Sequence, residues 1–121
     1  METETTYTVT REATVLHTLH GGSDTTAREE ATEWVTTRLE ALADRGDLAE
    51  GRVSDARIDE HPAAPFEPYT VAVSLTVGVT AAAPDAEAAE AVGARAIADA
   101  LEASELDAVS YTTPPRRSDR P

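Results

Sequence analysis

The sequence predicts an α+β domain, on three observations. Two long segments alternate apolar and hydroxylated residues with period two, as half-buried strands do. Each is followed by a segment whose apolar residues recur at helical spacing. The two strand–helix pairs also match at one shift. Tyr7-Thr8-Val9 falls on Tyr69-Thr70-Val71 and Leu39-Glu40-Ala41 on Leu101-Glu102-Ala103, both 62 positions apart, which reads as two copies of a strand–helix–strand unit. A length of 121 residues leaves room for one core and one domain, spanning 1–121. Its ordered part is expected over 6–113, with 1–5 and 114–121 as frayed ends.

The first strand places Tyr7, Val9, Ala13, Val15 and Leu19 on one phase and Thr8, Thr10, Glu12, Thr14 and Thr18 on the other. Gly21-Gly22-Ser23-Asp24 breaks it, and Thr26 with Glu29 has the spacing of a helix-opening capping box. Ala27, Ala31, Trp34, Val35, Leu39 and Leu42 then form one stripe, and Gly46 ends the helix. A weaker strand runs from Val53 to Ile58 into a Pro-rich loop, His61 to Pro68. Tyr69, Val71, Val73, Leu75, Val77 and Val79 alternate with Thr70, Ala72, Ser74, Thr76 and Thr80 as the third strand. Pro84-Asp85 opens a second helix whose inner face carries Ala86, Ala89, Gly93, Ile97, Ala100 and Leu101. The glycine sits mid-face, where a missing side chain lets a helix lie close on a sheet. Leu106 to Tyr111 reads as the final strand. Taken in order, βαββαβ with one-sided strands is the pattern of a ferredoxin-like sandwich: a four-stranded antiparallel sheet with both helices on one face.

Composition narrows the environment. The chain holds 23 acidic residues against 10 basic ones, for a net charge of −13; every basic residue is Arg, and Lys, Cys, Asn and Gln are absent. Val, Ile, Leu and Phe make up only 21 of 121 residues, which with this charge falls in the disordered class. The strong periodicity and abundant alanine argue instead for a folded chain with a small-residue core. Arg in place of Lys, acids over the surface and shrunken core residues suit a salt-loaded cytoplasm, where screening offsets self-repulsion. A halophilic, haloarchaeal source and a cytoplasmic location are therefore expected, or a virion if the source is a virus. Without cysteine there is no disulfide, thiolate nucleophile or sulfur-based metal site. The negative charge disfavours nucleic acid, and no apolar run is long enough to span a membrane.

The groups that could carry chemistry are few. His17 and His20 are three apart, so on a strand they face opposite ways and chelate poorly. His17 is expected at the core rim and His20 in a solvated turn. Arg38 lies about 20° around the helix from Ala27, placed to snorkel past the helix edge or to meet an acidic ligand. Arg11 falls on the apolar phase, at the sheet rim or a subunit contact. Asp55, Asp59 and Glu60 are a chance grouping in so acidic a chain, and Gly21-Gly22 reads as a turn. No phosphate-loop, dinucleotide, zinc or nucleophile-elbow motif occurs. No catalytic residue, metal ligand or cofactor is assigned.

The hydroxylated strand phase stands out instead. Thr8, Thr10, Thr14, Thr70, Ser74 and Thr76 form a nearly uncharged face on an otherwise charged surface, and a homo-oligomer packed through this face, or a protein partner in a larger assembly, is expected. The function so read is a non-enzymatic interaction or assembly module. Two alternatives come from resemblance. The βαββαβ order is similar to that of ACT-type regulatory domains, which implies a small effector bound at a subunit junction, and to dimeric α/β-barrel enzymes, which implies a pocket between two sheets. A helix, Gly51-Arg52-Val53, a Pro-containing loop, Pro68-Tyr69 opening a strand and an Ala-rich helix, over Trp34 to Glu102, resemble small tail-terminator or tail-completion proteins of tailed viruses, which form rings at the end of a tail tube. The long strand before the first helix departs from that pattern.

Overall fold

A computed structural model describes residues 4–64, 66–104, 106 and 108–118. The elements are β1 (Thr5–Leu19), α1 (Asp24–Asp44), β2 (Glu50–Glu60), β3 (Tyr69–Ala83), α2 (Ala86–Ala103), β4 (Ser110–Tyr111) and β5 (Arg116–Ser118). The fold is α+β: two helices and a five-stranded antiparallel sheet in the order β2-β3-β1-β4, with β5 also paired to β1.

The two period-two segments pair with each other along their whole length, from Thr5 opposite Ala83 to Leu19 opposite Tyr69. Their odd-numbered residues build the core. Val9, Ala13 and Val15 from β1 join Val71, Val73, Leu75, Val77 and Val79 from β3, all essentially inaccessible. Ala27, Ala31, Val35, Leu39 and Leu42 of α1 and Ala89, Ile97, Ala100 and Leu101 of α2 belong to the same cluster. Each fully buried Val or Leu contributes about 1.5–3 kcal/mol of transfer free energy. The alanines contribute less, but they let the helices approach closely. Gly93 is the tightest point, since a Cβ there would lie 2.6 Å from the Val9 methyls.

Local chemistry sets the helix ends. The first N-cap is Ser23, not the expected Thr26: the Ser23 hydroxyl accepts from the Thr26 amide at 3.2 Å, so the helix begins at Asp24. Asp85 caps α2 in the expected way, its carboxylate accepting from the Ala88 amide at 2.8 Å. The first helix stops where Gly46 takes φ +83°, a left-handed conformation that glycine adopts without steric penalty.

Three stretches differ from the sequence reading. The second strand extends to Glu50–Glu60 and shifts register at Ser54 and near Asp59, because the pairing with β3 continues past the apolar residues that mark it in sequence. The final strand is only Ser110–Tyr111, while Leu106 goes into the core instead. The edge it begins is completed by Arg116–Ser118, in the tail expected to fray. These residues pair with Thr8–Thr10, whose β1 edge would otherwise lack partners there. Residues 119–121 of that tail lie outside the described residues, as do 1–3 at the other end.

Candidate functional site: the second face of the sheet

Pairing in register carries the even-numbered residues of β1 and β3 to the face turned away from the core cluster. Thr14 lies opposite Ser74, Leu16 opposite Ala72, and Thr18 opposite Thr70. All six residues expected at an interface (Thr8, Thr10, Thr14, Thr70, Ser74 and Thr76) lie here, and each is half-buried. At one end the face is apolar. Leu16 is 37% exposed, whereas Ala72 is 2% exposed without belonging to the core cluster. Ala72 has Leu16 and Arg57 as its two cross-strand partners.

At the other end the face is polar and hollow. Arg52 on β2 and Glu12 on β1 flank Thr76 from opposite sides, while Arg116 on β5 lies opposite Thr10. These residues, with Arg11 and Thr113, line a shallow cavity of about 200 Å³. Glu50 lies just outside the lining, over Gly78. Sequence reading missed this convergence. Arg52 lay outside the segment read as strand, and Arg116 lay in the tail read as frayed. The only available signal was that β2 carries charged residues on alternate positions.

Arg11 resolves as a rim residue that fastens the edge. Its Nε donates to the Thr113 carbonyl at 2.9 Å, and its guanidinium sits 4.0 Å from the Tyr111 ring centroid. The Glu12 amide donates to the Thr113 hydroxyl at 3.0 Å, so two neighbouring residues of β1 hold one residue of the tail. Burial raises the Tyr111 phenol above its ordinary value. The Arg11 charge pulls the other way, and Glu102 adds to the rise.

The remaining candidates disperse. His17 stacks on Trp34 at 4.0 Å between ring centroids, and the Arg38 guanidinium lies 3.9 Å from the same indole. Arg38 is half-buried against Trp34 and forms no ion pair with an acid among the described residues. Its Nε is buried with no hydrogen-bond partner among the described residues, and the cation–π contact supplies the compensation. His20 is exposed and bonds the Phe66 carbonyl through Nε2 at 3.0 Å. His61, not singled out from sequence, bonds Asp24 at 3.0 Å, so the Pro-rich loop is tied to the first turn by two histidines. Asp55, Asp59 and Glu60 are exposed on β2, and Gly21-Gly22 forms the turn before α1. Among the described residues no three acidic or imidazole groups are placed to hold a metal ion, and no helix is long and apolar enough to cross a membrane.

The fold is that of an α+β protein with two helices and an antiparallel sheet. Comparison with known proteins takes that class no further: no family model, curated protein or solved structure matches the chain.

Proposed function

We propose that the protein is a non-enzymatic assembly module in which two copies pack through the second face of the sheet. The observation that carries this reading is the Leu16–Ala72 patch, an apolar spot on the face away from the core, with Thr14, Thr18, Thr70 and Ser74 around it on β1 and β3 and the charged Asp55, Arg57 and Glu60 of β2 along one side. Removing Thr and Ser from water is far less unfavourable than removing Asp or Glu, so this is the part of the surface that a second copy covers most readily. Two central strands of 15 residues at about 3.3 Å per residue, with neighbours about 4.8 Å apart, present on the order of 500 Å². The flanking strands must join them to reach the roughly 800 Å² per partner of a stable interface.

The architecture belonging to this reading is ferredoxin-like. The antiparallel order β2-β3-β1-β4 and the single core cluster shared by both helices support it, as does the exposure of Leu16, Thr80 and Ala82 on the opposite phase. The net charge of −13 supports a role in a salt-rich cytoplasm, where screening lets two acidic copies approach.

Light scattering in molar KCl tests the assembly. The expected mass is a multiple of the 12.8 kDa chain, and Leu16→Glu, which places a charge in the centre of the patch, returns it to the monomer. A wild-type chain that stays at the monomer mass across micromolar concentrations refutes the reading.

A further inference from the structure

The polar end of the same face carries a second inference, which holds for a single copy or for copies that pack through the Leu16–Ala72 end and leave this end open. Of the described arginines, Arg45 pairs with Asp47 and Arg117 with Glu90. Arg52 and Arg116, like Arg28, Arg57 and Arg95, pair with no carboxylate among the described residues, but these two line one cavity together, which Glu12 shares and Glu50 borders. They enter from opposite edges of the sheet, and the third arginine, Arg11, is already committed to Thr113 and Tyr111. Between them lie the hydroxyls of Thr10, Thr76 and Thr113 in a hollow of about 200 Å³.

We propose that this hollow binds hydrogen phosphate. Two guanidinium forks and three hydroxyl donors match the acceptors of a tetrahedral oxyanion. Glu12 would repel an anion that has only acceptors. It receives one that carries a proton, because an ionised carboxylate accepts from the P–OH group. The site therefore selects phosphate over sulfate, which has no proton to give at neutral pH. The overall negative charge does not prevent this. At molar salt the screening length falls to about 3 Å, so a small ion in the hollow feels the groups lining it and little of the remaining surface.

The test is titration of the full chain with inorganic phosphate and with sulfate in molar KCl, followed by calorimetry or by phosphorus NMR for phosphate. Saturable phosphate binding is expected, with sulfate markedly weaker. Arg52→Ala and Arg116→Ala each weaken phosphate about tenfold, as loss of a charge-assisted hydrogen bond implies. Arg57→Ala, on the same strand but opposite Ala72, leaves binding unchanged. Glu12→Gln narrows the gap between the two anions. Circular dichroism confirms that each exposed-site variant is folded, and Thr76→Glu, which fills the hollow with charge, gives a second route to the same loss. The absence of saturable phosphate binding, an equal loss in Arg57→Ala, or sulfate bound as tightly as phosphate each overturns the proposal. The assembly reading is judged separately, by mass, so either can fail alone.

Discussion

Adding one methyl group at Gly93 tests how α2 meets the sheet. In a free helix Gly→Ala stabilises by about 1 kcal/mol. Here the new Cβ would lie 2.6 Å from the Val9 methyls, where carbon atoms prefer about 3.5–4.0 Å. Relief needs about 1 Å of movement, yet Val9 is fully buried, as are Ala89 and Ile97 one turn away on either side. The helix must lift and loosen those contacts too. Overpacking of this kind costs up to about 3 kcal/mol, so after the propensity gain the net destabilisation is about 2 kcal/mol. For a domain of this size that is roughly 8 °C in Tm.

A double-mutant cycle isolates the contact. Val9→Ala alone costs about 2–3 kcal/mol through lost burial and the cavity left behind. Val9→Ala removes the two methyls but keeps the Val9 Cβ, which lies nearer still to the new Cβ, so the double variant recovers only part of the overpacking cost and the coupling is about 1 kcal/mol in its favour. The assay is urea unfolding in molar KCl at fixed protein concentration, because assembly would make stability concentration-dependent. A Gly93→Ala protein as stable as wild type or more so, or a strictly additive cycle, refutes the close packing of α2 on β1.

Two further outcomes follow from charge. With −13 on 121 residues, far-UV circular dichroism should show the cooperative fold in molar KCl and its loss as salt is diluted and screening falls; an unchanged spectrum at low salt contradicts this. The Tyr111 phenol, raised from 10.0 chiefly by burial, keeps its proton in the native state at pH values where the unfolded chain has begun to release it. Its contribution is therefore intact below about pH 10 and is lost as pH rises through the higher native value. Tyr111→Phe should flatten that alkaline decline, and absorbance titration near 295 nm reads the phenol directly.

The parts of the fold that were readable from sequence are those where one residue property repeats. The valines of β3 and the alanines of α1 and α2 announce their faces by period alone, and most residues assigned to an inner face are buried, with Tyr7, Leu19, Trp34, Tyr69 and Ala86 half-buried. What was not readable depends on partners distant in sequence. The tail residues Arg116–Ser118 carry no strand pattern, and they become a strand because β1 is 15 residues long and leaves an edge to be paired. The N-cap moved from Thr26 to Ser23 because both are cap-forming residues three apart, and the choice falls to the turn geometry after Gly22 rather than to side-chain type. Arg38 offers the same lesson inside a helix. Its position on the apolar stripe was correct, but only the structure shows that Trp34, four residues earlier, receives it.

The second face was legible by residue type but not by its division into two ends. In sequence Thr10 and Thr14 look alike. In the sheet Thr14 falls beside the Leu16–Ala72 patch, while Thr10 faces Arg116 and Gly78. The difference comes from the flanking strands: β2 brings Arg52 toward one end and Arg57 toward the other, with the bulge at Ser54 between them. The Ser54 hydroxyl donates to the Ser74 carbonyl at 3.2 Å, tying the extra residue to the ladder. In a strand without a bulge, positions 52 and 57, five apart, would point to opposite faces of the sheet. The bulge therefore places both arginines on the second face, one at the hollow and one beside the apolar patch. Deleting Ser54 would leave the two arginines four apart on a regular strand, still on the second face, so the bulge is what lets this edge strand carry an extra residue without turning either arginine toward the core.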